Sequence, residues 1–500
     1  MKKKILYWVG TDITPFCIAY NLEKHLDSEN YAIIDVTNKP KTFFENQKLV
    51  SFSKIWFLHD NLTSIKKPNM KYLQDMEKKY DLNIWKLAIN ERIFYRFYDY
   101  YKFSSDEILS IEESALKFFE KILDEINPTH FITKVPAFHH LELFTQMCKK
   151  RGINVLIFGQ TNIAKKCIIS NEASKFEIPF NYVTYDTHKI TFENLREKYS
   201  ASKLSNQIKN LIQNNRNHTD FFKALLKFIF NSNDNIHSHY NYFGRTKTKV
   251  LFYQLKLTLQ GKYRNHYLDT HLIKKIDFNF PFLYFPLAVD LERNLLINAP
   301  YFTNQIELIR TIAKSTPVGY HLIVKESPAQ ITRAWRPISE YKEIMDIPNV
   351  ILLHPDVQSD EIYKKCKLVI TVTGSSGLEA SLYGIPSLIF ADTFYSELPS
   401  VTRVKEITAL PYLIKKSLEH NVNPDIINQY LDFVDKITFN FDLFAFNTIY
   451  KNAFYLGGIL VDVEISEKQM KSFLIKNENF LEPLVTAFLK KIQNNNFLNL

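Results

Sequence analysis

The chain has few cysteines and no long apolar run, and these absences exclude several classes of protein. It contains 4 cysteines in 500 residues, and no two of them form a C-x-x-C pair. Neither a disulfide framework nor a metal site is therefore expected. No stretch approaches the roughly 20 apolar residues of a membrane span, and the N-terminal MKKKILYWVG lacks the apolar segment and cleavage site of a signal peptide. We expect a cytoplasmic protein, or one held peripherally at the inner face of the membrane.

Several functional motifs are also missing. The sequence has no RNP-like, helix-turn-helix or zinc-finger pattern, so no nucleic-acid partner is predicted. It also has no P-loop and no G-x-S-x-G elbow. The net charge of +10 suits an anionic partner, which could be a nucleotide, a phospholipid surface or an acidic glycan.

Strand-like and helix-like segments alternate in both halves of the chain. The strand-like segments of the first half are ILYWV (5–9), YAIIDV (31–36), KIWFLHD (54–60), HFITKV (130–135) and NVLIFG (154–159). Those of the second half are FLYFPLAV (282–289), YHLIVKESP (320–328), NVILLHP (349–355), KLVITVT (367–373) and PSLIFAD (386–392). Strands separated by helices pair in parallel, and 500 residues exceed a single core. The pattern predicts two α/β domains.

The predicted domains are separated and followed by helical regions. We expect an N-terminal domain over residues 1–195 and a second α/β domain over 279–415. Residues 196–278 are polar, basic and Asn-rich, which predicts a helical insertion or linker. This insertion is either a solvated surface or a docking face for an anionic membrane or polymer. Residues 416–500 are predicted to be mostly helical and to pack back on both domains.

A turn rich in small residues follows the segment KLVITVT. In TVTGSSGLEASLYG, Gly374 and Gly377 would let a ligand approach the backbone, and Ser375 and Ser376 would add hydroxyl donors. The start of a helix favours a phosphate, because its N–H groups lack partners there. Glu379 would accept hydrogen bonds from a ribose or sugar hydroxyl. The alternative interpretation is a tight turn with a serine cap.

Polar residues end three strands of the predicted second sheet. They are Lys325 with Glu326, His354, and Thr373 with the Gly374 turn. Ligands of open parallel sheets bind at the carboxyl ends of strands, so this half is the predicted nucleotide-binding domain. Lys325 would neutralise a bound phosphate, and Arg336 would bind the same anion. The alternatives are a surface lysine, an arginine in a structural ion pair, and a histidine that only satisfies a strand end.

Two long segments resemble the capsule polysaccharide biosynthesis family, which includes the Kdo transferases of bacterial capsule assembly. The first runs from KESPAQITRAWRP to GIPSLIFADTFY (325–395), and the second is YFPLAVDLERNLLINAPYFTNQIELIRTIAKSTPVGYHLIVKE (284–326). The N-terminal half is similar more loosely, for example in NIWKLAINERIFYRFY (83–98). The resemblance is therefore carried mainly by residues 280 to 400.

The resemblance implies a GT-B-like architecture, in which two Rossmann-like domains face each other across a cleft. It further implies that the C-terminal domain holds a nucleotide sugar as co-substrate, with no metal and no other cofactor. Lys325 and Glu326 match the family's K-E before a His-Pro dyad, and Pro328 matches the proline of that dyad. Ser327 departs from the family, which usually has histidine there, and His354 is a candidate substitute on another strand.

The resemblance also assigns the small-residue turn to the donor. Its matching positions are Ser375, Ser376, Gly377 and Glu379. An inverting transferase needs a base that deprotonates the acceptor hydroxyl, and in this architecture the base comes from the N-terminal domain. Asp12, after the first strand, and His140, after a later strand, are the candidates, with His139 as a further rival.

The predicted activity is transfer of a sugar from a nucleotide donor to a capsule or other surface polysaccharide, or to its lipid-linked primer. CMP-Kdo ranks first as the donor, and a UDP-sugar ranks second. The partners are thus a nucleotide sugar and a glycan or glycolipid acceptor, with an anionic membrane surface as a third candidate. Two alternatives remain open, namely a nucleotide-sugar 2-epimerase on the same fold and a non-catalytic glycan-binding or assembly protein.

Overall fold

The computed structural model describes residues 2–62, 66–95, 99–184, 190–200, 218–231, 237–332, 336–457 and 460–493. These residues form two β-sheets, one in each half of the chain, together with the helices that cover them. The strands of the first sheet are β1 Lys3–Val9, β2 Ser28–Ile34, β3 Phe52–Phe57, β4 His130–Lys134, β5 Asn154–Gln160 and β6 Lys166–Ser170. The strands β1 to β5 pair in parallel, and β6 is antiparallel to β5.

The second sheet is parallel throughout its described pairs. Its strands are β7 Phe282–Pro286, β8 His321–Lys325, β9 Val350–Leu353, β10 Leu368–Thr371, β11 Ser387–Ile389 and β12 Val401–Arg403. The strands β12 and the antiparallel β6 were not predicted from the sequence. Both are short or lie toward a sheet edge, where the apolar signal of a buried strand is weak.

Both sheets have the same strand order. The first runs β3-β2-β1-β4-β5-β6 and the second β9-β8-β7-β10-β11-β12. This is the doubly wound order of a Rossmann fold, in which the strand order reverses between the first and fourth strands of each sheet while the strands stay parallel. The expected α/β fold with two Rossmann-like halves is confirmed. The two reversal points, β1/β4 and β7/β10, are where ligands of such sheets bind.

Helices cover both faces of the first sheet. They are α1 Thr14–Leu22, α2 Asn38–Asn46, α3 Met70–Tyr80, α4 Ile84–Asn90, α5 Ser105–Ile126 and α6 His139–Lys150. Alternate side chains of β1 enter different cores: Leu6 and Trp8 pack with α5 and α6, whereas Ile5 and Tyr7 pack with α1. Strand periodicity of two residues explains this division.

The region between the sheets is helical where the structure describes it. Its helices are α7 Phe192–Ser200, α8 His218–Phe230 and α9 Lys247–His271. Tyr240, in a short 3-10 turn, is buried in the core of the first sheet. At the other end of this region, Tyr267 and Leu268 of α9 are buried in the core of the second sheet. The α9 helix therefore connects the two halves.

The remaining helices follow the second sheet in sequence. They are α10 Arg293–Leu296, α11 Gln305–Ser315, α12 Ile338–Met345, α13 Ser359–Tyr363, α14 Ser376–Ser381, α15 Leu410–Leu418, α16 Pro424–Ile437, α17 Leu443–Phe454, α18 Glu467–Lys476 and α19 Glu478–Gln493. A two-residue strand, β13 Phe439–Asn440, adds to β6 at the edge of the first sheet. Phe446, Phe473 and Phe488 then pack into the first sheet's core. In the described part of the chain, no helix is both long and apolar enough for a bilayer crossing.

Candidate active site

The small-residue turn lies at the β7/β10 reversal point of the second sheet. Thr373 is buried, and its Oγ1 donates to the carbonyl of Asn294 at 3.4 Å, which ties the end of β10 to the segment after β7. The Gly374 N–H donates to Thr371 Oγ1 at 3.1 Å. Residues 374–376 are half-buried. The turn therefore borders solvent at the position where the fold favours a ligand.

Glu379 lies beneath this turn and is buried. Its Oε1 accepts from Ser375 Oγ at 3.0 Å, and its Oε2 accepts from Tyr363 OH at 3.1 Å. Burial raises the pKa of Tyr363 well above its ordinary value, so the phenol keeps its proton and donates. Both oxygens of the Glu379 carboxylate therefore accept hydrogen bonds from side chains of the protein.

Gly377 is required by packing within the protein. A Cβ at this position would lie 2.8 Å from the ring and hydroxyl of Tyr395 and 3.1 Å from Ser387 Oγ. Tyr395 also donates to the carbonyl of Gly374. The glycine therefore admits Tyr395 against the turn, so its presence does not by itself indicate a ligand.

Two of the predicted donor-binding residues have internal partners at neighbouring strand ends. Lys325 is buried, and its Nζ donates to the Val357 carbonyl at 2.7 Å and to Ser359 Oγ at 3.1 Å. His354 is also buried, and its Nδ1 accepts from the Asp356 N–H at 3.2 Å. Both side chains hold the loop that follows β9.

Ser327 organises the loop after β8, where the family resemblance leads one to expect histidine. Its N–H donates to Glu326 Oε1 at 2.8 Å, and its Oγ accepts from the Ala329 N–H at 3.3 Å. The hydroxyl thereby caps the 3-10 helix Pro328–Thr332. Ser327 is half-buried and lies at the edge of the second sheet that is formed by the carboxyl ends of its strands.

Arg336 is the centre of a buried ion cluster. Its Nε donates to Glu326 Oε2 at 2.8 Å, one terminal nitrogen donates to Asp290 Oδ2 at 2.7 Å, and the other donates to the Ala288 carbonyl at 2.8 Å. Burial opposes a charged guanidinium, but the two carboxylates outweigh it and raise the pKa of Arg336. Burial also raises the pKa of Glu326. All three nitrogens of Arg336 thus bind protein groups in this conformation.

The same cluster contains polar residues that the sequence analysis missed. Gln305 Nε2 donates to Asp290 Oδ1 at 2.9 Å, and Tyr341 OH donates to Glu326 Oε2 at 3.1 Å. The sequence does offer a signal for Asp290, because this residue directly follows the apolar segment FLYFPLAV, which contains β7. Gln305 and Tyr341 lie on helices and carry no local signal of their role.

Arg293 is a further cation near the β7/β10 reversal point that the sequence analysis missed. It precedes Asn294, whose carbonyl contacts Thr373. A terminal nitrogen donates to Ser174 Oγ at 3.2 Å, and the buried Nε has no hydrogen-bond partner in the described part of the chain. Burial lowers its pKa. The charges of Glu142 and Glu172 oppose this effect of burial, but among the described residues neither forms a direct ion pair with Arg293.

Asp12 lies at the β1/β4 reversal point of the first sheet and is half-buried. Its Oδ2 accepts from Lys134 Nζ, at the end of β4, and its Oδ1 accepts from the Thr14 N–H at 3.0 Å. Burial alone would raise the pKa of Asp12, but the charge and hydrogen bond of Lys134 hold it below its ordinary value. Asp12 is therefore ionised at neutral pH.

His140 belongs to a second cluster on the first sheet. Its Nε2 lies 3.1 Å from Asp35 Oδ2, and His59 Nε2 lies 2.8 Å from Asp35 Oδ1. The His140 ring stacks on Trp8 at 5.7 Å between centroids. Burial would raise the pKa of Asp35, but the two histidines lower it well below the ordinary range. One half-buried carboxylate thus orients two buried imidazoles.

This histidine cluster extends to the linker that follows α8. Tyr240 OH lies 3.2 Å from His139 Nε2 and 3.3 Å from His140 Nδ1. Burial opposes a charged His139, yet Glu112, 2.6 Å from its Nδ1, raises the pKa of His139. Within the described residues, no group of three or more His, Cys, Asp or Glu side chains is arranged to hold a metal ion.

The sequence contained a usable signal for part of this cluster. Asp35 is the penultimate residue of the predicted strand YAIIDV, and His59 is the penultimate residue of KIWFLHD. Both residues lie just beyond the carboxyl ends of strands β2 and β3, as Asp12 lies beyond the end of β1. Asp12 and His140 belong to different clusters of contacts, one around Lys134 and the other around Asp35. Their catalytic roles stay predictions.

The two Rossmann-like sheets and the polar groups at their reversal points define an α/β protein of the GT-B-like class. Residues 227–410, which include the whole second sheet, match the family described as capsule polysaccharide biosynthesis protein. The family resemblance read from the sequence is confirmed over these residues. A search of curated proteins gives no match.

Solved structures with a similar fold include three that act on sugars according to their descriptions. KpsC, a beta Kdo 2,7 transferase of Thermosulfurimonas dismutans, has 13% identity and a TM-score of 0.30 over 79% of this chain and 97% of its own. UDP-GlcNAc 2-epimerase of Methanocaldococcus jannaschii has 12% identity and a TM-score of 0.24 over 85% and 94%. The epimerase of Neisseria meningitidis, bound to UDP-GlcNAc, has 13% identity and a TM-score of 0.22 over 87% and 99%.

Proposed function

We propose that the protein is a metal-independent glycosyltransferase. It transfers a sugar from a nucleotide donor, with CMP-Kdo ranked before a UDP-sugar, to a surface polysaccharide or its lipid-linked primer. One observation carries this proposal. The stretch that matches the capsule family, residues 227–410, folds into the parallel sheet whose reversal point bears the Thr373–Ser376 turn.

The donor phosphate is assigned to this turn. Ser375 and Ser376 are half-buried there, and Ser375 would turn its hydroxyl from Glu379 to the phosphate. Arg293 supplies positive charge, and no described carboxylate forms a direct ion pair with it. A fixed cation beside the departing phosphate stabilises the charge that develops on it. Lys325 and Arg336 support the loops around the donor through their internal bonds.

The acceptor base is assigned to Asp12 before His140. Asp12 is half-buried and ionised, so an acceptor hydroxyl can reach it and transfer its proton as the new bond forms. Both oxygens of Asp12 and both ring nitrogens of His140 have partners in the protein, and His140 ranks second because it is buried. Its cluster with Asp35 and His59 is better suited to shaping the acceptor side of the site.

Incubation of the pure protein with a panel of nucleotide sugars and acceptor glycans tests this function. We expect release of one nucleotide, and Asp12→Asn and Glu379→Gln should each reduce it by on the order of 100-fold or more. Glu361→Gln, a change at an exposed carboxylate of α13, is the matched control and should retain the wild-type rate. Equal rates in all four proteins would refute these roles.

Two other outcomes would contradict the transferase proposal as a whole. Interconversion of a free nucleotide sugar without acceptor would indicate the epimerase alternative. A non-catalytic protein would show no preference among CMP, UDP and GDP in thermal unfolding. A transferase is instead stabilised by its own nucleotide, by about 2.7 kcal/mol at a hundredfold excess over Kd.

A further inference from the structure

The long helix α9 carries an apolar stripe on its solvent side. Phe252, Leu255, Leu259 and Tyr263 have exposed fractions of 71%, 58%, 59% and 67%. Their spacings of three, four and four residues place them on one face of the helix. The apolar face of a surface helix normally covers a core, and a contiguous exposed stripe marks an interaction site.

The exposed apolar stripe does not pack α9 against the rest of the protein. The buried residues of α9 are Arg264, Tyr267 and Leu268, near its C-terminal end. Its N-terminal end is capped by the Thr246 side chain, which accepts from the Lys249 N–H. The cap and the buried residues therefore account for the position of the two ends of α9. The four exposed apolar side chains do not contribute to either.

Lysines border the stripe on both sides. Lys249, Lys256 and Lys262 are all exposed, and each lies three or four residues from a member of the stripe. None of the three forms an ion pair with a carboxylate of the described residues. The sequence contains no Asp or Glu from residue 235 to residue 268. The stripe therefore lies in a locally cationic surface.

A second exposed apolar group lies beside the start of α9. Lys247 Nζ donates to the Ile229 carbonyl at 2.6 Å, which places the end of α8 next to the start of α9. Phe230, the last residue of α8, is 82% exposed. An exposed aromatic side chain at the end of α8 therefore lies near the N-terminal end of α9.

We propose that the exposed face of α9 docks the protein on an anionic phospholipid bilayer. The Phe252–Tyr263 stripe enters the interface between headgroups and acyl chains, while the lysines contact anionic headgroups. Helices that lie in a membrane interface combine apolar side chains with Lys or Arg in this way. Each lysine near an anionic bilayer adds to the attraction. A soluble acidic glycan would satisfy the lysines but not the four apolar side chains.

Vesicle co-sedimentation of the full chain tests the proposal, without any nucleotide sugar. The wild type should bind vesicles of phosphatidylglycerol and phosphatidylcholine, and should bind pure phosphatidylcholine vesicles far more weakly. Phe252→Ser, Leu255→Ser and Leu259→Ser together should weaken binding at least about tenfold. Lys249→Glu, Lys256→Glu and Lys262→Glu together should do the same, and salt should weaken wild-type binding.

Matched controls change equally exposed residues elsewhere. Tyr301→Ser, Val318→Ser and Tyr412→Ser together remove exposed apolar side chains, and Lys405→Glu, Lys415→Glu and Lys416→Glu together reverse exposed charges. Both control proteins should bind vesicles like the wild type. Vesicle binding that the α9 variants retain in full, or that the controls lose equally, would overturn the proposal.

A label at Leu259 gives a second measurement. The four native cysteines are buried, so a Leu259→Cys variant can carry an environment-sensitive fluorophore. Its emission should shift to the blue with phosphatidylglycerol vesicles, whereas a Tyr412→Cys label should not respond. Binding to a soluble acidic polysaccharide with no vesicle binding would also overturn the proposal. Because no donor is present, these results do not depend on the transferase activity.

Discussion

At the scale of single residues, burial changes the role of the charged groups that the sequence makes conspicuous. Arg336 is a predicted ligand of the donor anion, and in the structure it forms ion pairs with Asp290 and Glu326. A buried charge is tolerated only when it is paired and hydrogen-bonded. Arg293 is less conspicuous in the sequence, yet it has no such carboxylate partner among the described residues.

The substitution Arg336→Ala should destabilise the protein strongly. It leaves two buried carboxylates without their counterion, and loss of one partner of a buried ion pair costs about 3–5 kcal/mol. Urea unfolding measures this loss. The matched control is Arg310→Ala on the exposed face of α11, which removes contacts to Glu307 and Glu343 and should change stability little. Similar losses for the two variants would contradict the structural role of Arg336.

At the scale of elements, two glycines inside helices differ in how closely the rest of the protein packs against them. Gly377 in α14 leaves room for Tyr395 and Ser387, whereas a Cβ on Gly261 in α9 would meet nothing within 4 Å. Glycine in a helix costs stability through backbone entropy. In α14 this cost is offset by packing at the turn, and in α9 no neighbouring group of the protein offsets it.

Gly377→Ala and Gly261→Ala should therefore change stability in opposite directions. At Gly377 the new methyl overpacks Tyr395, which should cost roughly 1–3 kcal/mol. At Gly261 alanine should stabilise α9 by roughly 0.5–1 kcal/mol. Thermal unfolding of both variants measures the two signs. Destabilisation by Gly261→Ala would mean that α9 packs against something at this position.

At the scale of the whole molecule, the C-terminal helices complete the first half of the chain. The helices α17, α18 and α19 bring Phe446, Phe473 and Phe488 into the core beneath the first sheet. Helix α16 contributes Tyr430 to a separate cluster that also contains Leu378 of α14 and Phe180. The N-terminal sheet therefore depends on residues from the other end of the chain.

A chain that ends at residue 415 should fail to fold its N-terminal half. The truncation exposes the apolar core face that α17 to α19 cover, and such a surface favours aggregation. Size-exclusion chromatography and thermal unfolding measure the effect. Co-expression of residues 416–500 as a separate chain should restore soluble protein. A truncated chain that unfolds cooperatively at the wild-type temperature would contradict this dependence.

The alternation of apolar segments was sufficient to predict two parallel α/β sheets, and strand-end polarity was sufficient to select Asp12, Glu326 and Thr373. Both signals are local, because a buried parallel strand needs a continuous apolar run and its carboxyl end faces solvent. Residues 325–395 were also sufficient to indicate the family. The position of the candidate donor turn was thus readable from the chain alone.

The hydrogen-bond partners of these side chains could not be predicted from the sequence, because the partners are distant along the chain. Asp290 reaches Arg336 across 46 positions, and Cys167 on β6 donates to the Phe441 carbonyl across 274. Hydrogen-bond partners and packing neighbours depend on how the sheets and helices assemble. Local sequence patterns do not determine that assembly. For this reason only the tertiary structure separates Arg336, which forms ion pairs with Asp290 and Glu326, from Arg293, which forms no direct ion pair among the described residues.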